Sequence, residues 1–194
     1  MDNFEEFTDD DQGNLIDDAF HLTRERLLPC RIPLKLIGNM KNSTKLLPVT
    51  VSLSNIRMIL NDAKGHSQIF EKLKAYFADI FENLYDKLSW SVNPDEDLNT
   101  RNLRTNLLEI MCGTNMNYDR CFNDVLSISK NNSFTLHSDL LNLFTETYMK
   151  LEKIKRTKAK QKYNLKSIFS YFLGNKIPVP HYISECSPWI LENL

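Results

Sequence analysis

Glycine is scarce in this 194-residue chain, with five in all, and none stands in a GxGxxG or GxxxxGK[ST] loop, so no phosphate-cradling turn is present. There is no GxSxG elbow to present a nucleophilic serine. Histidine is as sparse: His21, His66, His137 and His181 never form HExxH, which would set two zinc ligands on one helical face with a glutamate base between them. The cysteines, Cys30, Cys112, Cys121 and Cys186, lack the paired CxxC spacing of a structural zinc site. No uninterrupted apolar run is long enough to span a bilayer. The first dozen residues are acidic rather than basic and then apolar, so no secretory leader is visible. If Met1 is the genuine start, the expected location is cytoplasmic.

Neither charge sign dominates. The formal net charge is −1, which gives no global reason to expect nucleic acid or an anionic membrane as partner. Local charge is uneven. Asp2, Glu5, Glu6, Asp9, Asp10 and Asp11 make an acidic opening, and Lys150, Lys153, Lys155, Arg156, Lys158, Lys160 and Lys162 a basic stretch. The first reads as an unstructured start over residues 1–13. The second reads as a solvated helix face, because it lacks the interleaved aromatics of a nucleic-acid site.

What the chain has is helical rhythm. Hydrophobic residues make up 42% of it and charged residues 25%, ordinary values for a globular protein with a packed core. Ile69-Phe70, Leu73, Phe77, Ile80-Phe81, Leu84-Tyr85 and Leu88 keep the helical period for several turns, until Asn93-Pro94-Asp95 breaks it. Leu15, Ala19, Leu22 and Leu27 mark one face of an earlier helix. Leu103, Leu107-Leu108 and Ile110-Met111 mark a later one ending near Gly113, and Phe122, Val125-Leu126 and Ile128 the next. Residues 133–151 and 165–173 read as helical. Pro178 and Pro180 enforce an extended segment, and Trp189 to Leu194 form a last short helix. Leu46 to Leu53 reads as a loop entering a helix that starts near Ser52 or Ser54. Strand signals are weak. The expected fold class is all-α: antiparallel helix pairs packed as a bundle or solenoid.

Asp17-Asp18 and His21 are the most chemical-looking cluster. On a helix the two adjacent acids point about 100° apart, so they cannot share a proton as a dyad. Acids near a helix start favour the positive end of its dipole, and that structural role is assigned to Asp17 and Asp18. His21 and Glu25 lie at i, i+4 and form at most a surface pair. Cys112 and Cys121 make a local disulfide across a helix–helix turn in an oxidising compartment and buried thiols in the cytosol. Asn42-Ser43-Thr44 and Asn131-Asn132-Ser133 are N-glycosylation triplets.

Several segments taken in order carry a resemblance. Asn14 to Leu28 ("NLIDDAFHLTRERLL"), Leu46-Leu47-Pro48 with Ser54-Asn55-Ile56, Phe81 to Trp90 ("FENLYDKLSW") and Asn102 to Ile128, with its Leu103-Arg104 and two cysteines, resemble the aminopeptidase N family of zinc metallopeptidases. These gluzincin aminopeptidases include the endoplasmic reticulum aminopeptidases. The similar part is the start of their C-terminal helical domain, here about residues 14–129; beyond Ser129 the similarity fades, leaving residues 130–194 as a diverged helical extension. Val49 stands where the family has tryptophan after the proline, and Ser89 where it has glycine before the tryptophan.

The resemblance implies a HEAT-like superhelix closing as a bowl over a separate catalytic domain and touching the distal part of a peptide substrate. It implies zinc chemistry outside this region, and no catalytic or metal residue carries over to this chain. The chain by itself is therefore expected to be inactive and to hold no cofactor. Its expected partners are a peptide substrate or a catalytic aminopeptidase domain, with no nucleic acid. As part of a longer family member it would be membrane-anchored or secretory. The competing expectation is a stand-alone α-solenoid interaction module, with Phe169, Tyr171, Phe172 and Trp189 as candidate contacts.

Overall fold

The computed structural model describes residues 3–90, 95–113, 116, 118–130, 145, 149 and 180–194. Seven α-helices and no strand occur among them: α1 (Asp9–Arg24), α2 (Arg31–Gly38), α3 (Leu46–Ala63), α4 (Ser67–Leu88), α5 (Leu98–Gly113), α6 (Tyr118–Lys130) and α7 (His181–Asn193). The all-helical expectation therefore holds there. Apart from residues 145 and 149, the helices expected over residues 133–151 and 165–173 lie outside the described residues, as do the basic stretch, Asn131, Phe169, Tyr171 and Phe172.

The acidic opening is not unstructured from residue 3 onward. Phe4–Glu6 form a 3₁₀ turn, and Phe4 is buried. Buried Gln12 donates from Nε2 to the Phe4 and Phe7 carbonyls at 3.1 and 2.9 Å, clipping the turn onto α1. Thr8 caps α1 by accepting from the Asp11 amide at 3.2 Å. Asp9, Asp10 and Asp11 fill the first turn, where negative charge meets the positive end of the helix dipole. Asp9, Asp10 and Asp11 thus start a helix here, because an aromatic anchor, Phe4, and a cap, Thr8, precede them.

The inward face of α1 also differs from expectation. Leu15, Leu22 and Leu27 are exposed, while Gln12, Ile16, Ala19, Phe20 and Thr23 are buried. Both stripes have helical spacing, so periodicity alone does not choose between them. The choice falls to the stripe that carries Ile16 and Phe20, which packs on α3. That helix begins at Leu46, not near Ser52. Pro48 sits in its first turn, where a missing amide leaves no hydrogen bond unmade. Ser52 and Ser54 donate back to the Pro48 and Thr50 carbonyls at 2.8 and 3.1 Å, so the two serines ride inside the helix instead of capping it.

α4 follows its sequence pattern closely: Ile69, Leu73, Phe77, Ile80, Phe81, Leu84, Tyr85 and Leu88 are all buried. His66 caps it, with Nδ1 accepting from the Ile69 amide at 3.4 Å. α7 spans His181–Asn193, longer than the short helix expected, and carries Pro188. Pro180 precedes its first turn. Tyr182, Ile183, Cys186 and Ile190 turn inward against α2, α3 and α4.

α4 and α5 meet at a corner held by one buried cation. Arg104 Nε donates to the Leu88 carbonyl at 2.9 Å, answering an acceptor that α4 leaves open at its end. Its two terminal nitrogens form a fork onto the Glu96 carboxylate. Both side chains are almost wholly shielded, 4% and 6% exposed. Asp97 then caps α5 by accepting from the Thr100 amide at 3.0 Å and the Thr100 hydroxyl at 2.7 Å. Those bonds hold the Asp97 carboxyl below its ordinary 3.8.

Two outcomes follow. Arg104→Met strands a buried carboxylate and an open carbonyl, and should cost about 3–5 kcal/mol in denaturant unfolding. Adding Glu96→Met should return part of that loss, and no recovery would mean that the pairing is not what the arginine supplies. Asp97→Ala should destabilise at neutral pH. A carboxyl depressed in the folded state contributes stability present above its unfolded value and lost as pH falls. The gap from wild type should therefore close as pH drops below 3.8, measured by unfolding midpoints at neutral and acidic pH.

Candidate functional site

The structure separates the residues of the opening acid–histidine cluster. Asp17 lies in the middle of α1, not at its start, and its Oδ1 accepts from Asn55 Nδ2 of α3 at 2.9 Å. Asn55 is buried and also donates to the Val51 carbonyl at 3.1 Å. Asp17 is therefore a cross-helix tie, while Asp18 faces solvent. His21 is exposed and makes no ion pair with Glu25; the Glu25 amide donates to the His21 carbonyl at 3.1 Å. An i, i+4 pair of that type does form on α7, His181 to Glu185 at 3.1 Å. Among the described residues no three His, Cys, Asp or Glu side chains are placed to hold a metal ion.

The cysteines form two disulfides. Cys112 and Cys121 join α5 to α6 with Cα atoms 5.6 Å apart. Cys30 and Cys186 join the start of α2 to α7 with Cα atoms 5.5 Å apart, across 156 residues of sequence. The second bridge has no signal in local spacing; only the fold brings its cysteines together.

Around the first bridge, α4 and α6 share a polar network. The Tyr85 hydroxyl donates to Asp124 at 2.7 Å and accepts from Trp90 Nε1 at 3.1 Å. Arg120 lies over the Tyr85 ring at 4.7 Å and pairs with Glu82 and Asp86 of α4. Burial, and then the bond to Asp124, push the Tyr85 hydroxyl well above the ordinary tyrosine range, so it stays a neutral donor. This is the chemistry of a joint, with no group poised to attack or to transfer a proton.

The described residues also line concavities, two of which bear on function. One, of about 510 Å³, lies where the end of α1, the α1–α2 loop and α7 meet. The Cys30–Cys186 bridge and Trp189 form part of its wall, and Tyr182, bonded to Asp62 of α3, forms another. Burial, and then Asp62, push the Tyr182 hydroxyl up as well. The other is a groove of about 350 Å³ between α3 and α5. Leu53, Met58 and Ile110 give it apolar lining, Asn106 gives it a polar group, and Arg57 pairs with Glu109 across it at 2.5 Å. Met58 is exposed there. The groove thus sets an apolar strip beside hydrogen-bonding and charged groups. Local spacing gives no sign of this groove, because its two helices lie about fifty residues apart in the chain.

Comparison with known proteins gives the family. Residues 2–167 match the family model described as the ERAP1-like C-terminal domain. Glutamyl aminopeptidase of Sus scrofa is 30% identical over 110 residues, covering 57% of this chain and 12% of that protein. Glutamyl aminopeptidase of Homo sapiens is 29% identical over 110 residues, covering 57% of this chain and 11% of that protein. The matched part is thus about an eighth or less of each relative's length. The chain belongs to the ERAP1-like C-terminal domain family.

Proposed function

We propose that this chain is the C-terminal helical part of a zinc aminopeptidase, without catalytic residues of its own, and that it encloses the peptide-substrate cavity formed with a separate catalytic domain. The family match over residues 2–167 carries this reading. On it, the helix pairs are units of a HEAT-like superhelix, and the α3–α5 groove faces the peptide. The α3–α5 groove supports this reading, since an apolar strip flanked by polar and charged groups suits an extended peptide. Zinc would be held by residues outside this chain.

A second reading, a helical interaction module without peptidase activity, draws on α7. That helix turns back onto α2, α3 and α4 and is bonded covalently to the start of α2. A helix so placed covers faces on which further helix pairs of a solenoid could stack.

One experiment separates the two. An antibody raised to residues 102–128 should recover from the native source a protein several times larger than 22.7 kDa, with chelator-sensitive aminopeptidase activity. Recovery of a 22.7 kDa band without activity would select the module. Chelator-sensitive release of aminoacyl reporters by the purified chain alone would overturn both.

A further inference from the structure

We propose that Asn42 carries an N-linked glycan and that the corner formed by the α2–α3 loop and α4 faces solvent in whatever assembly the chain joins. The inference does not depend on whether that assembly is an aminopeptidase.

The triplet Asn42-Ser43-Thr44 sits where such a modification can be made. Asn42 is exposed, the last residue of the turn that follows α2, and the chain runs through Ser43 and Thr44 without helical structure before α3 begins. Its backbone has φ 74°, the left-handed conformation that asparagine tolerates better than most residues. The turn beneath it is held by main-chain bonds, Met40 amide to Ile37 carbonyl at 2.8 Å and Ser43 amide to Met40 carbonyl at 2.9 Å. The Asn42 side chain is oriented by its oxygen. Oδ1 accepts from Asn83 Nδ2 of α4 at 2.6 Å, which leaves Asn42 Nδ2, the atom that is modified, uncommitted. Thr44 is exposed, so its hydroxyl is open to a transferase. Asn83 is exposed as well, and the Lys41–Asp79 pair beside it, 2.9 Å long and about half exposed at both ends, closes nothing over the site.

A second observation points to the same compartment. Both cysteine pairs are bonded, and no described cysteine is free. Disulfides persist in the oxidising environments where N-glycans are also added. In the transfer, Asn42 Nδ2 forms a bond to the anomeric carbon of an oligosaccharide carried on a lipid diphosphate. The bond from that carbon to the diphosphate oxygen breaks, the lipid diphosphate leaves with the electron pair, and one amide proton is released.

A glycan is bulky and needs solvent around it. With Asn42 occupied, no partner can lie flat on the corner where Asn42 meets Asn83. The α3–α5 groove is built from other helices and stays open.

The test uses the endogenous protein. It is treated with peptide N-glycosidase in heavy-oxygen water, and the peptide containing residue 42 is read by mass spectrometry. Asn42 should appear as heavy-labelled aspartate only after treatment, with a matching downward step on a gel. Unmodified asparagine at 42 in all copies, or label confined to Asn131, overturns the proposal. In a eukaryotic secretory host, Thr44→Ala should remove one mobility step and Thr44→Ser should keep it. Neither variant touches the Asn42–Asn83 bond. A ladder unchanged by Thr44→Ala overturns the proposal too.

Discussion

The corner between α4 and α5 depends on Arg104. A guanidinium this deeply shielded is costly to desolvate, and its attraction to Glu96 offsets that cost only because the geometry is forked and the remaining donor reaches the Leu88 carbonyl. The same group thus terminates one helix and positions the next. Trp90, buried just past the end of α4, donates to Tyr85, and Tyr85 donates to Asp124 on α6. The Cys112–Cys121 bridge ties α6 to α5 as well. Polar groups that would be liabilities if left alone in the core become specific when each is answered, and together they set the relation among three successive helices.

The earlier helices rely on shape more than on charge. α1 lies on α3 through Ile16, Ala19 and Phe20, with the Asp17–Asn55 bond at the margin to fix its register. α3 in turn packs on α5 and presents Met58 and Arg57 to the groove between them. A binding surface built this way moves only when whole helices move. That suits a part whose proposed task is to bound a cavity, since the rigidity of the wall comes from the core behind it.

Much of this was readable in the residues, and the failures share causes. α4 was evident because its apolar stripe is long and unambiguous. The inward face of α1 was not, because two apolar stripes run side by side and only packing against α3 selects Ile16 and Phe20 over Leu15 and Leu22. Val49, Thr50 and Val51 read as part of a loop, yet Pro48 in a first turn and the cost of leaving Leu53 and Ile56 unburied favour helix from Leu46. Leu103-Arg104, Trp90 and the cysteines after them were noticed as a family pattern, but the pattern does not say that the arginine closes the preceding helix. The groove depends on two helices about fifty residues apart in sequence, a separation that local reading cannot bridge.

The Cys30–Cys186 bridge has a topological consequence. It closes residues 30–186 into a covalent ring. A protease that cuts once anywhere between the two cysteines opens the ring without dividing the molecule, so both fragments travel together until the bridge is reduced. Tension applied to the two termini runs through the sulfur atoms and bypasses α3, α4, α5 and α6. The groove and the Arg104 corner both lie inside that protected circuit.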